Sequence, residues 1–341
     1  ISGSNEGYNE VWWMYPSQNS PVNDRYVIFN HLERIWYYGT INRTAWLDSA
    51  LRASPMAAFS VQTSYLNADI TATATNITLV DATSYPYSGS VQIIPVWVGN
   101  WNATRKSAWN VILGNLVSSL GAGGIATNNH VFKTNLGYFP TNAPTLSWPV
   151  TASASVAATG TVKAGLIQVS DANVATYINN AIKNKVITAG AKPIYVYIGA
   201  NNTRLSSGFG TAYCGWHSIG TIGVKNIPYI AIQDFTSTYA RSCAVQTMSP
   251  NMDYQLDAVA SILVHEIDEA LTNPDLRTWY DSRGAENADK CAWTFTPTFG
   301  AKNGGMANFT AGVYEYLIQR NWLADNIVTD AAAGTACVVT K

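Results

Sequence analysis

Beyond residue 90 the spacing of apolar positions switches repeatedly between the short runs of a strand and the three-to-four-residue period of a helix. Residues 91–98, Val-Gln-Ile-Ile-Pro-Val-Trp-Val, read as a strand. Residues 104–120 read as a helix, with Trp109, Ile112, Leu113, Leu116 and Leu120 at helical spacing and Gly121 closing it. Leu166–Val169 is a second strand, running into a helix capped by Ser170 or Asp171 that turns Val174, Tyr177, Ile178, Ala181 and Ile182 inward. Residues 194–198 and 229–232 are further strands. This order predicts an α/β fold, a mixed sheet with helices, and with the H-E-x-x-E helix at 265–269 that follows it the order is zincin-like (metallopeptidase-like).

The next periodic segment predicts one more helix. Ser249 followed by Pro250 is a start signal, and Leu256, Val259, Ala260, Leu263, Val264, Ile267, Ala270 and Leu271 fall on one broad stripe before Asn273-Pro274 ends it. At about 100° per residue, His265 and Glu269 lie almost opposite that stripe, stacked one turn apart, so both side chains can reach one ion. The same positions also fit a solvated face, with Asp257, Ser261, His265, Asp268, Glu269 and Thr272 in water and His265 paired to Glu269.

Residues 1–90 follow a different pattern. They are rich in Tyr and Trp, with one alternating run at 70–80 that reads as a strand, and the turn-rich stretch 83–90 marks a boundary. The expected organisation is a β-rich N-terminal extension, 1–90, and one domain, 91–341. Trp12, Trp13, Tyr15, Trp36, Tyr37 and Tyr38 make the extension a candidate for self-assembly or glycan stacking, against the commoner use of such aromatics in core packing.

Composition narrows the function classes. Charged residues are only 12% of the 341, and the net charge of −1 comes with no basic block, which excludes a nucleic-acid or anionic-lipid partner. No apolar run is long enough to cross a bilayer. Sequons at Asn42, Asn76, Asn102, Asn201 and Asn308 suggest a glycosylated product. Cys214, Cys243, Cys291 and Cys337 allow three pairings and are expected to form two disulfides in an oxidising compartment. The chain opens at Ile1 without Met and without a leader, which fits a secreted, extracellular protein whose signal peptide has been removed.

In a chain so poor in charge, Asp281, Glu286 and Asp289 bunch shortly after the helix. Clustered carboxylates repel, and a cation would offset that. The segment His265-Glu266-Ile267-Asp268-Glu269 differs by one letter from the H-E-x-x-H helix of zinc peptidases. On that template His265 and Glu269 are metal ligands, Glu286 or Asp289 supplies the third, and Glu266 is the base. Exchanging a histidine for a glutamate moves the donors toward oxygen, so the divalent metal is zinc or calcium, with manganese also admitted, and a structural ion rivals a catalytic one. His217, three residues from Cys214, is either a ligand, a group supporting one as Asp281 would be, or a hydrogen-bonded core histidine. His31 and His130 have no acidic cluster nearby and read as structural. No G-x-S-x-G elbow occurs and the cysteines are better used in bridges, so serine and thiol hydrolysis have little support.

Residues 264–274 and 279–291 together resemble the pattern A-H-E-[LI]-x-E-x-x-T-[ND]-P, then W-Y-D-x-x-G-x-E-x-x-D-x-C, of secreted relatives of the Exordium/phosphate-induced protein family, with Val264 in place of alanine. Val96-Trp-Val-Gly-Asn-Trp101 and the helix carrying Arg105 are similar to the family's W-Y-G-x-[WF]-T-x-x-[QR], and Cys214-Gly-Trp-His217 to its C-G-x-H. The likeness runs from about residue 91 to the end. It implies an extracellular, wall-associated protein linked to growth or nutrient response, with a fold similar to metallopeptidases, and leaves the activity open.

Two function classes follow. One is a secreted zincin-like metalloprotein, a divergent or degenerate metallopeptidase. The other is a non-enzymatic wall, matrix or filament glycoprotein that binds carbohydrate, protein or copies of itself.

Overall fold

The computed structural model describes residues 2–5, 9–15, 25–40, 65–66, 79–80, 87–118, 130–139, 143–149, 154–205, 208–234, 242–277, 279–280, 284–323 and 337–340. The chain divides into two compact units, residues 1–81 and 82–341.

The first unit holds an antiparallel meander of β1 (Ser2–Asn5), β2 (Glu10–Tyr15), β3 (Arg25–Asn30) and β4 (Ile35–Thr40). Asn30 turns the chain between β3 and β4, its Oδ1 accepting from the Leu32 and Glu33 amides at 3.1 and 2.9 Å. Aromatic rings cross-brace the strands: Trp13 stacks on Trp36 with centroids 5.8 Å apart, and Phe29 lies 4.6 Å from Trp36. Of the alternating run at 70–80, Leu79–Val80 is a strand paired with Tyr65–Leu66, and residues 70–78 lie outside the described residues.

The second unit is mixed α/β. Its main sheet contains β5 (Ser90–Val98), β6 (Thr145–Ser147), β8 (Pro193–Gly199), β9 (Trp216–Ile222) and β10 (Lys225–Gln233), and β7 (Leu166–Val169) pairs in a smaller sheet with Thr203–Leu205. The strand order is β9-β10-β8-β5-β6, parallel throughout except for the antiparallel edge strand β9. β8 is buried at every position and β5 at nearly every one, as expected for parallel strands covered on both faces. The covering helices are α1 (Ala103–Ser118), α2 (Val174–Lys183) and α3 (Tyr254–Thr272).

The predicted elements fall close to these, with three differences. α1 ends at Ser118 among the described residues, and Leu120 and Gly121 lie outside them. Ser170 precedes a short 3-10 turn and makes no side-chain cap bond; the Asp171 carboxylate instead accepts from the Tyr213 hydroxyl at 3.2 Å. α3 starts at Tyr254, not at Ser249. Met252 takes φ +64°, which no right-handed helix continues through, so a new cap is needed and Asp253 provides it by accepting from the Leu256 amide at 3.1 Å. Ser249 holds the turn before it, accepting from the Asp253 amide at 2.6 Å.

Two features fix the ends of these elements. After β5 the chain turns at Gly99 (φ +97°), where a Cβ would stand 2.8 Å from Asn202 Oδ1 and Thr203 Cγ2, so only glycine fits. Arg105 on α1 forks onto Asp234, just after β10, with Nε 3.0 Å from Oδ1 and 3.1 Å from Oδ2, and its Nη1 bonds the Asp253 cap of α3. Trp109 Nε1 donates to the same Asp234 at 3.3 Å. One guanidinium therefore ties α1, the sheet and the start of α3 together.

Candidate metal centre

α3 is buried on all sides, and that overturns the solvated-face expectation. Asp257, Ser261, Asp268, Glu269 and Thr272 are all buried, and the His265 side chain is 12% exposed. Each polar group must then find a partner or pay for its desolvation. Asp257 accepts from the Ser249 hydroxyl and the Asn251 amide, Ser261 Oγ from the Gln319 amide, and the Thr272 hydroxyl donates to the Asp268 carbonyl. Asp268 accepts from Asn135 Nδ2 at 2.7 Å, and Asn135 Oδ1 in turn accepts from Asn287 and Asn321 at 3.1 and 2.8 Å. Burial pushes the Asp268 carboxyl well above its usual range.

The remaining polar groups of α3 meet a second set of side chains. His217, on edge strand β9, brings Nδ1 to 3.2 Å from Glu269 Oε2 and 3.4 Å from Glu266 Oε2. Its Nε2 lies 3.5 Å from Glu286 Oε2. His265 Nε2 stands 3.2 Å from Glu269 Oε1 and 3.4 Å from Asp289 Oδ1. Two groups can hold a metal ion, His217–Glu269–Glu286 and His265–Glu269–Asp289, sharing Glu269. They border a cleft of about 510 Å³.

Local structure aims each of them. His265 and Glu266 are neighbours on α3, and Glu269 sits one turn further on. Glu269 Oε1 is also pinned by the Asp289 amide at 3.1 Å, and Glu286 by Asn273 Nδ2 at 2.5 Å. His217 follows the disulfide Cys214–Cys243, and Asp289 opens the short 3-10 turn that ends at Cys291, paired with Cys337. By the chain-entropy estimate, closing loops of this size stabilises by about 3–4 kcal/mol each. Gly215 leaves room for Glu266: a Cβ there would stand 2.6 Å from Ile262 Cγ2 and 3.2 Å from Glu266 Oε1. Gly215→Ala is therefore expected to cost about 1–3 kcal/mol by overpacking and to displace Glu266, read by thermal melts and by cation affinity. A variant matching wild type in both would contradict this.

The electrostatics are tightly linked. Burial alone would depress the pKa of His265, but Glu269, Asp289 and Glu266 outweigh it, and the imidazole is held well above its ordinary value. His217 is likewise depressed by burial and raised further by Glu266, Glu269 and Glu286, ending well above. Burial raises Glu269, yet the two imidazoles hold it down at about 2, whereas Glu266 stays raised by burial. Because both histidine pKa values are raised, their contribution to the metal-free fold is complete below about 6.5 and is lost as pH rises through the folded values. A cation ligated by an imidazole must displace its proton, so affinity is expected to climb with pH, with one proton released for each histidine that becomes a ligand. Calorimetry in buffers of unlike ionisation enthalpy reads this; an affinity independent of pH would contradict it.

Of the residues singled out in the sequence, His217, His265, Glu266, Glu269, Glu286 and Asp289 come together, and Asp281 lies outside the described residues. His130 is structural, as expected: its Nδ1 accepts from the Phe132 amide at 3.3 Å, and burial depresses its pKa to about 4. His31 is exposed on a turn. Sequence reasoning missed Asn135, Asn273, Asn287 and Asn321, whose amides hold Asp268 and Glu286; isolated asparagines carry no periodic signal. Asn102 and Asn201 are exposed, whereas Asn308 Nδ2 donates to the Phe295 and Ile318 carbonyls, both at 2.8 Å, so a glycan there would displace at least one bond. Asn42 and Asn76 lie outside the described residues.

The model of the phosphate-induced protein 1 conserved region matches residues 86–311, well over half of the chain. The chain belongs to the phosphate-induced protein 1 (Exordium) family. No curated protein and no solved structure matches it. The family match contains all six clustered residues and stops short of Cys337, the partner of Cys291. Family membership and the two disulfides fit a secreted, extracellular protein. Among the described residues, no helix of this phosphate-induced family member is long and apolar enough to cross a membrane.

Proposed function

We propose that this chain is an extracellular, zincin-like metallohydrolase that cuts peptides, with a divalent cation at His265, Glu269 and Asp289 and with Glu266 as general base. The observation that carries this is the spacing of the donors. Nitrogen–oxygen separations of 3.2–3.5 Å are long for hydrogen bonds. They match the roughly 3.3 Å between neighbouring ligands of a tetrahedral ion bound at about 2.0–2.1 Å. In addition, the buried Nε2 of His217 has no hydrogen-bond partner among the described residues. The donor set of imidazole and carboxylate suits zinc, with calcium or manganese also accepted.

A bound cation would supply Lewis acidity toward a substrate carbonyl. Glu266, buried and raised in pKa, would take the proton of the attacking water on its carboxylate and deliver it to the leaving amine. His265 and Glu269, fixed on a buried helix, would keep the donors in place without rearrangement. Ile262, Trp293 and Gln319 line the cleft beside the donors.

Digestion of a peptide library tests the proposal. Wild type is expected to cleave, and Glu266→Gln to bind the cation normally while losing at least about 10²-fold in rate. Equal cleavage by both proteins would refute the role of Glu266.

A second reading rests on the N-terminal sheet, where Trp36 and Tyr38 are 59% and 84% exposed. There the protein is a wall, matrix or filament glycoprotein with a structural ion, its aromatic strand contacting carbohydrate, matrix protein or another copy. Metal-loaded wild type that cleaves nothing and grows in mass with concentration by light scattering would favour it.

A further inference from the structure

Glu269 presents its two carboxylate oxygens to different histidines. Oε1 faces His265 Nε2 at 3.2 Å, and Oε2 faces His217 Nδ1 at the same distance. The donors correspondingly fall into two sets, His265–Glu269–Asp289 and His217–Glu269–Glu286, with Glu269 the one member in common. We infer that the cluster is a two-cation centre in which the Glu269 carboxylate bridges the ions, the second held by His217 and Glu286. This rests on the proposed metal site and extends it.

Geometry comes first. Two ligands of one ion bound at about 2.4 Å can stand no more than roughly 4.8 Å apart. Within each set the donor atoms lie within 4.8 Å of one another, but the sets do not merge into one. A carboxylate spanning two ions about 3.5–4 Å apart is the usual arrangement of paired metal sites. The second centre also has a donor in waiting. The His217 side chain is 5% exposed, its Nε2 has no hydrogen-bond partner among the described residues, and that atom lies 3.5 Å from Glu286 Oε2. Its Nδ1 faces Glu269 Oε2 at 3.2 Å and Glu266 Oε2 at 3.4 Å, so whichever nitrogen ligates, the other keeps a carboxylate partner, the outer bond that orients ligating histidines. Glu286 is held toward the cluster by Asn273.

Charge agrees with the count. Glu266, Glu269, Glu286 and Asp289 carry four negative charges around one cleft once both imidazoles are neutral ligands. A single divalent ion leaves two of them uncompensated, and two ions balance all four, which matters most for the buried Glu266 and Glu269.

Equilibrium dialysis of the full chain against Mn²⁺, and in parallel Zn²⁺, followed by elemental analysis and electron paramagnetic resonance of the manganese form, tests this. Two ions per wild-type chain and a spin-coupled Mn²⁺ spectrum are expected. Glu286→Gln is expected to hold one ion with the six-line spectrum of an isolated Mn²⁺, and His217→Ala, checked for folding by circular dichroism, to do the same. One ion per wild-type chain, or two without coupling, would overturn the bridged pair and leave the metallohydrolase proposal standing. No bound ion of either metal would overturn both.

Discussion

Glu269→Ala is expected to lower affinity for a divalent cation by at least about 10²-fold, the largest effect of any single change at the cluster. Among the described residues Glu269 is the one carboxylate in ion-pair contact with both histidines, and it is 3% exposed. The imidazoles hold its carboxyl at about 2, well below the unfolded value, so its contribution to the metal-free fold is complete above about 4.5 and is lost as pH falls toward 2. At neutral pH the substitution therefore also leaves two buried imidazoles short of a counter-charge. Breaking a buried pair in this way costs about 3–5 kcal/mol. Zinc calorimetry and urea melts of the metal-free protein measure the two losses separately. A variant that binds zinc as wild type does would show that the donors lie elsewhere.

Arg105→Ala is expected to destabilise the second unit by about 3 kcal/mol, the low end for a buried ion pair because the Arg105 side chain is 19% exposed. Truncation leaves Asp234, 5% exposed, with the long Trp109 bond as its remaining side-chain donor among the described residues, and frees the Asp253 cap of α3. Arg105→Lys is expected to recover only part of this, because an ammonium cannot fork onto the Asp234 carboxylate and reach Asp253 together. Since α3 carries His265 and Glu269, cation affinity should fall along with the melting temperature. A loss under about 0.5 kcal/mol, the range of an exposed pair, would contradict the clamp.

Much of this fold was legible in the sequence where burial leaves a periodic mark. The apolar runs of β5, β8 and β10 and the stripes of α1, α2 and α3 announced themselves because parallel strands and core helices must be apolar. The polar face of α3 misled for a physical reason. A face of Asp, Ser, His, Glu and Thr looks the same whether it meets water or a layer of partners drawn from Asn135, His217 and Gln319, and those partners lie far off in sequence. The start of α3 misled because Ser249-Pro250 carries every local start signal while the left-handed Met252, which defers the start, carries none. The acid bunching after α3 drew attention to Glu286 and Asp289, and the fold brings both beside His217, His265 and Glu269. That His217 would join them from an edge strand followed from no spacing rule. The pairing of Cys214 with Cys243 and of Cys291 with Cys337 was one of three possibilities, and only the fold chooses among them.

Anomalous diffraction at the zinc edge, from crystals of the protein loaded with Zn²⁺, tests the metal centre most directly. A peak is expected at about 2.0–2.2 Å from His265 Nε2 and from a Glu269 oxygen, inside the cleft bordered by Glu266 and Asp289. A map with no peak at these groups, or with zinc only on surface residues away from α3, would contradict it.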